Sequence, residues 1–254
     1  MPARSNGRDH VSALEKGLAV IEVFGASSSA LTLSEVARRS GLTRATARRY
    51  LLTLARLGYA EFDGKLFSLA PRVLRLGYGY LSTASLPKLA QPVLETIGER
   101  TREVASIAIL DGTEIAFLAH SANRRILSAT FGLGTRLPAY CTAMGRVLLA
   151  SWPDADVERF LKNIKPQKMT PMTKTARREI LSEVIRARAN GYSINDQEIE
   201  MGLSSIAVPV ADSRGGVKLA MSVSLQSARM TTTQMIQRIL PVLKSGSHSL
   251  SAML

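Results

Sequence analysis

Between Thr32 and Leu69 the sequence passes through a helix cap, a turn glycine, an arginine-rich helix and a hairpin turn, and few folds accept that order. Thr32-Leu33-Ser34-Glu35 reads as a capping box, in which Thr32 caps a helix and Glu35 reaches back to it. The short helix that follows, about residues 33–39, turns Val36 and Ala37 inward. Gly41-Leu42 is a sharp turn, because glycine accepts positive φ after a helix end. Thr43 then caps a helix over about residues 43–57, with Ala47, Tyr50, Leu51 and Leu54 as its apolar stripe. Ahead of the pair, Leu14, Leu18, Ile21 and Phe24 recur at helical spacing and predict a first helix over residues 12–24, ended by Gly25 and Ser27-Ser28-Ser29. Behind it, Tyr59–Phe62 and Lys65–Leu69 flank Asp63-Gly64, a hairpin signal. A hairpin straight after such a helix is a wing.

Arginine supplies the charge of this stretch. Residues 35–60 hold Arg38, Arg39, Arg44, Arg48, Arg49 and Arg56 against one acid, Glu35. The guanidinium fork suits both phosphates and guanine edges. At roughly 100° per residue, Ala45, Arg49 and Arg56 face away from the apolar stripe, and Arg48 flanks it. In a helix-turn-helix the start of the second helix carries the base contacts. The candidate DNA-reading residues are therefore Thr43, Arg44, Ala45, Thr46, Arg48 and Arg49, in a winged helix-turn-helix over residues 11–70. The whole chain agrees, since 33 basic against 20 acidic side chains give +13, a balance that favours polyanions. A small helical domain with a solvated basic face is the plainer reading, and the ordered signals argue against it.

Pro71 opens a connecting helix over residues 71–84, where Val73, Leu74, Leu76, Tyr80 and Leu81 supply apolar faces. Leu86–Thr101 reads as a further helix after a break at Pro87. Ser106–Leu110, Glu114–Ala119, Ile126–Phe131, Ser205–Val210 and Lys218–Leu225 read as strands. Cys141–Ala150, Thr175–Asn190 and Thr231–Ser247 read as helices, the last with Met235, Ile239, Val242 and Leu243 inward. Antiparallel strand pairs plus helices make residues 85–254 an α+β domain.

Nothing in this half composes a catalytic set. His10, His120 and His248 lack metal-ligand spacing, and there is neither a Gly-x-Ser-x-Gly elbow nor a P-loop. Cys141 is the only cysteine, which excludes an internal disulfide. Its neighbours Arg136 and Arg146 could lower its pKa, but a buried, inert thiol is the commoner outcome. No cofactor, metal or membrane span is expected, and MPARSNGRDH lacks the apolar core of a signal peptide. An enzyme with an accessory DNA-binding module is the alternative, and it needs a nucleophile–base pair or metal cluster within residues 85–254. A third reading is an architectural DNA binder that senses nothing. A filled domain would favour it, and a pocket of roughly several hundred Å³ would reject it.

Leu31–Leu42 (LTLSEVARRSGL) and its continuation to Gly58-Tyr59 resemble the helix-turn-helix of the IclR family of bacterial transcriptional regulators. Arg136–Arg146 (RLPAYCTAMGR) is similar to that family's effector-domain signature, and Gly202–Val210 (GLSSIAVPV) to its second. The likeness covers nearly the whole chain. The wording LPAYCTAMGRVLLA and DQEIEMGLSSIAVPV resembles most the branch that controls β-ketoadipate and 4-hydroxybenzoate catabolism. The resemblance implies a winged helix-turn-helix, a linker helix and a GAF-like effector domain in a cytoplasmic, non-enzymatic regulator. It implies homodimers, often paired into tetramers, on palindromic promoter DNA, with recognition helices roughly 34 Å apart or a multiple of that. It implies a small organic acid as effector, an aromatic or dicarboxylic catabolite. Carried over residue by residue, the effector site falls on Tyr140, Ala143, Met144, Asn195, Ser205, Ser222 and Ser224. Tyr140 and Met144 would be walls, Asn195 and the serines hydrogen-bonding groups, and Arg136 a charged partner. Ser222 and Ser224 alternate along one strand and so share a face.

Overall fold

The computed structural model describes residues 10–25, 29–77, 85–122, 132 and 134–254. The chain divides between residues 83 and 84 into two compact units. The first contains α1 (Ser12–Glu22), β1 (Ala30–Leu31), α2 (Leu33–Ser40), α3 (Arg44–Arg56), β2 (Ala60–Phe62) and β3 (Phe67–Leu69). Thr32 and Glu35 form the reciprocal capping box. Gly41 ends α2 at φ 68°, and the Leu42 N–H donates to the Ala37 carbonyl behind it. Thr43 accepts from the Thr46 N–H and starts α3. The Asp63 carboxylate accepts from the N–H groups of Lys65 and Leu66 and closes the hairpin, with Gly64 at φ 99°. Strand β1 adds to the hairpin and gives the order β1-β3-β2.

The first helix differs from its expected stripe. Val20 and Phe24 are buried, while Leu14 and Leu18 stay 63% and 45% exposed. Gly17 lies on the buried side, with the Tyr50 ring of α3 packed over it. The core face therefore runs Gly17, Val20, Phe24 at i, i+3, i+7, adjacent to the leucine face. After β3, residues 71–77 are helical, starting at Pro71. The rest of the expected linker helix, with Tyr80 and Leu81, lies outside the described residues, as does the expected strand Ile126–Phe131.

The second unit is built on a six-stranded antiparallel sheet. Its strands are β4 (Val104–Asp111), β5 (Glu114–His120), β6 (Arg136–Pro138), β7 (Ser193–Asp196), β8 (Leu203–Ala211) and β9 (Val217–Gln226), in the order β6-β5-β4-β9-β8-β7. One face packs on α4 (Ser85–Thr101), α8 (Thr232–Arg238) and α9 (Leu240–Ser251). The other faces α5 (Ala143–Leu149), α6 (Asp154–Asn163) and α7 (Arg177–Asn190). The alternation along β9 assigns the faces: Leu219, Met221, Val223 and Leu225 lie in the α4/α9 core, and Ala220, Ser222 and Ser224 point the other way.

Two helix expectations change. Pro87 sits in the first turn of α4 rather than before it, where its missing N–H costs nothing. The expected Thr231–Ser247 helix is two helices, because the chain turns at Ile239 and Pro241 opens α9. Four elements carried too weak a pattern to be expected: β1, β6, α6 and β7.

Candidate functional site

Helix α3 presents its basic side to solvent. Thr43, Arg44, Ala45, Arg48 and Arg49 are exposed and Thr46 is half-buried, while Ala47, Leu51 and Leu54 hold the helix on the core. Thr43 and Thr46 also bond to each other through their hydroxyls at 2.9 Å. Their first task is the helix start. Arg44, Arg48 and Arg49 make no ion pair among the described residues. Three unneutralised guanidinium groups on the outer side of a rigid helix can reach phosphates and base edges.

The second candidate is a narrow cavity between the sheet and the start of α5. It is lined by Ser106, Ile115, Phe117, Leu137, Thr142, Ala143, Met144, Asn195, Ile199, Leu203, Ser205, Ser222 and Ser224. Six residues chosen from the sequence meet here: Ala143, Met144, Asn195, Ser205, Ser222 and Ser224. Register brings them together, since Ser224 stands opposite Ser205, and Ser205 opposite Asn195. Ser106, on β4, stands opposite Ser222. The free volume is only about 30 Å³, room for no more than a few water molecules. The pocket of several hundred Å³ that would reject a non-sensing protein is not present at this position.

Tyr140 does not join the cavity. It lies in a 3-10 turn before α5 and lines a different, more open groove with Glu114, Lys165 and Gln167. Its hydroxyl donates to the Gln167 carbonyl at 2.6 Å and accepts from the Gln167 N–H at 2.9 Å. Burial, helped by the neighbouring Cys141, pushes its phenol up to about 12. Arg136 is also elsewhere, paired with Asp111 at 2.8 Å and Glu114 at 2.9 Å on the surface. Its charge is spent across the β5–β6 edge. Cys141 is wholly buried, and burial pushes its thiol up to about 12 despite the opposing pull of Arg146. Such a thiol is unreactive.

Asn195 is 3% exposed and already engaged. Its amide donates to the Cys141 carbonyl, and its carbonyl oxygen accepts from the Glu198 N–H. Below it lies a feature the sequence reading missed. Arg146 of α5, fully buried, donates to both oxygens of Glu198 at 2.6 and 2.7 Å and to the Tyr140 carbonyl. The Glu198 carboxylate also accepts from the Lys174 N–H. A lone arginine inside the apolar run CTAMGRVLLA was the signal, because a buried charge requires a partner. Gly145 completes the joint: a Cβ there would lie 2.2 Å from the Ala139 carbonyl oxygen, so only glycine lets α5 pack on its preceding turn.

A larger groove of the second unit, about 400 Å³, runs along β7 and is open to solvent. Its charged residues pair among themselves, Lys174 and Arg186 with Glu183 at 2.7 and 3.1 Å. Size alone does not make it the sensing site.

Two family descriptions match the chain: "Bacterial transcriptional regulator IclR C-terminal" over residues 78–252 and "IclR helix-turn-helix domain" over residues 13–64. The Pca regulon regulatory protein of Pseudomonas putida is 40% identical over 243 residues, 95% of this chain and 84% of that protein. A crystal structure of a transcriptional regulator from Rhodococcus sp. RHA1 is 42% identical, with TM-score 0.78 over 96% of this chain and 98% of that one. The inducer-binding domain of PobR from Acinetobacter, solved as a double mutant with 3-hydroxybenzoic acid, is 29% identical, with TM-score 0.64 over 67% of this chain and all of that one.

Proposed function

This chain belongs to the IclR family of transcriptional regulators, and from that we propose how its two units divide the work. Residues 11–70 bind promoter DNA, residues 71–84 connect, and residues 85–254 sense a small organic acid, an aromatic or dicarboxylic catabolite. Arginine and lysine neutralise phosphates and release counterions, which supplies most of the affinity. Thr43, Arg44, Ala45, Thr46, Arg48 and Arg49 choose the sequence in the major groove. The acid enters the cavity beneath α5, against Ala143, Met144, Asn195, Ser205, Ser222 and Ser224.

The observation that carries the sensing role is that convergence: six residues from four separate segments line one narrow space. A space of about 30 Å³ cannot hold an aromatic ring. Binding therefore requires an opened form, with Met144 the most adaptable wall. Ligand that binds only the opened form shifts the population toward it, and regulation follows if that form has a different affinity for DNA. The same closure favours a second reading, a DNA binder that senses nothing.

We also assign a homodimer, paired further into a tetramer, in the cytoplasm. The support is apolar surface that a lone chain leaves wet. Val11, Leu14 and Leu18 are exposed on and just before α1, and Leu74 and Leu76 are 74% and 54% exposed after β3. Calorimetric titration of the full chain with aromatic and dicarboxylic acids, repeated with the DNA site it selects from a random library, tests the scheme. Saturable binding that changes DNA affinity is expected. No binding by any acid would leave the non-sensing reading.

A further inference from the structure

Ser222 is 1% exposed, lines the cavity, and its hydroxyl has no hydrogen-bond partner. A native core rarely tolerates this, because a buried hydroxyl without a partner loses its hydration for nothing. Its neighbour across the ladder is Ser106 of β4, 2% exposed and also in the cavity wall. Ser106 in turn shares a hydrogen bond of 2.7 Å with His120 Nδ1, and His120 stands opposite it on β5. His120 Nε2 makes no well-formed hydrogen bond, although the Gly132 backbone lies close enough to the ring to act on its proton. Ser222, Ser106 and His120 thus form one polar row across β9, β4 and β5. The cavity wall is otherwise apolar on its β5–β6 side, where Ile115, Phe117 and Leu137 lie.

We propose that this row is a specificity element, and that it receives a hydroxyl substituent of the effector rather than its carboxylate. The inference rests on the sensing role assigned above and adds which group the row reads. Two properties select a hydroxyl. The row itself offers neutral hydroxyls and an imidazole but no lysine or arginine, so a carboxylate seated on it would have no countercharge within the row. The Ser106–His120 pair is also amphoteric. With the ring proton on Nε2, Nδ1 accepts from Ser106. With the proton on Nδ1, the ring donates to Ser106 and frees its hydroxyl proton for the ligand. A phenol or alcohol both donates and accepts, and so completes Ser222 under either arrangement. A ligand without that hydroxyl leaves Ser222 unpaired, and sites built to bond a hydroxyl discriminate strongly against its absence.

The test is calorimetric titration of the full-length protein with 4-hydroxybenzoate, 3-hydroxybenzoate and benzoate. At least one hydroxybenzoate should bind about tenfold or more tightly than benzoate. Ser222→Ala and Ser106→Ala should each bring that ratio toward one. Thermal unfolding keeps the test independent of folding: Ser222→Ala removes a hydroxyl without a partner, so its Tm should match or exceed that of the parent. A parent ratio of one, a ratio unchanged in both variants, or a Tm lowered by more than about 3 °C would each overturn the proposal. Benzoate binding as tightly as the hydroxybenzoates would sink this inference and leave the sensing role standing. Failure of all three acids to bind would remove the hydroxyl reading, while dicarboxylates would still decide the sensing role.

Discussion

Arg49 and Arg146 are the same residue in opposite settings, and they show how the two units differ. Arg49 is exposed on α3, and no ion pair among the described residues uses it. Arg146 is fully buried under the cavity and satisfied by Glu198 and the Tyr140 carbonyl. The first unit's fold leaves charged side chains free at its surface. The second unit's fold must satisfy the charges it buries. Substitutions should therefore separate stability from recognition in one unit and couple them in the other.

The largest expected effect is on the buried side. Arg146→Ala strands the Glu198 carboxylate, and should cost about 3–5 kcal/mol in denaturant unfolding of the second unit. Arg49→Ala should leave stability within about 0.5 kcal/mol. Its loss should appear instead as about 1–3 kcal/mol on the selected DNA site and less on random DNA. Equal losses on both DNAs would demote Arg49 to a phosphate contact, and an Arg146→Ala protein of parental stability would erase the contrast.

Next in size is the cap of the reading helix. Thr43→Ala removes the acceptor for the Thr46 N–H and should cost about 1 kcal/mol of stability. There the exposed unit should couple fold to recognition, so DNA affinity should fall with it. A stability loss without an affinity loss would remove Thr43 from the reading set.

The smallest effect is chemical. Cys141 is held up at about 12 in the fold, against 9.0 for an ordinary thiol. The unfolded chain gives up this proton first, so stability should be flat below pH 9 and fall as pH rises from about 9 toward 12. His120 has the opposite sense: burial lowers its pKa, against the pull of the Gly132 carbonyl. Its contribution is present above the ordinary histidine value and lost as pH falls below it. A maleimide should label native Cys141 slowly at pH 8 and quickly after unfolding. Fast native labelling would show that the turn before α5 opens by itself.

The same contrast explains what could be read from the sequence. On α2 and α3, exposure follows from one helical period, and Thr32, Gly41, Thr43 and Asp63 are local signals for local geometry. The arginine face was therefore legible without any long-range information. The cavity depends on register among β4, β9, β8 and β7, strands that lie far apart in the chain. Only the Ser222–Ser224 alternation was local. The other positions came through resemblance, which placed Asn195 and Ser205 but carried Tyr140 into a neighbouring groove. Ser106 and His120 were missed because a serine and a histidine in separate strands acquire meaning only once the strands pair. In α1 two apolar faces were adjacent in the sequence, and the packing of Val20 and Phe24 into the core distinguishes the buried one.

The division of labour is tested most directly by one titration, carried out on Arg49→Ala and on Ser222→Leu. Affinity for the selected DNA site is measured with and without 4-hydroxybenzoate or whichever acid binds the parent. Ser222→Leu should fill the cavity, keep the acid-free DNA affinity and lose the response to acid. Arg49→Ala should bind DNA weakly and still bind the acid. A Ser222→Leu protein that responds to the acid as the parent does would contradict the account, and the sensing site would have to lie elsewhere in the second unit or between subunits.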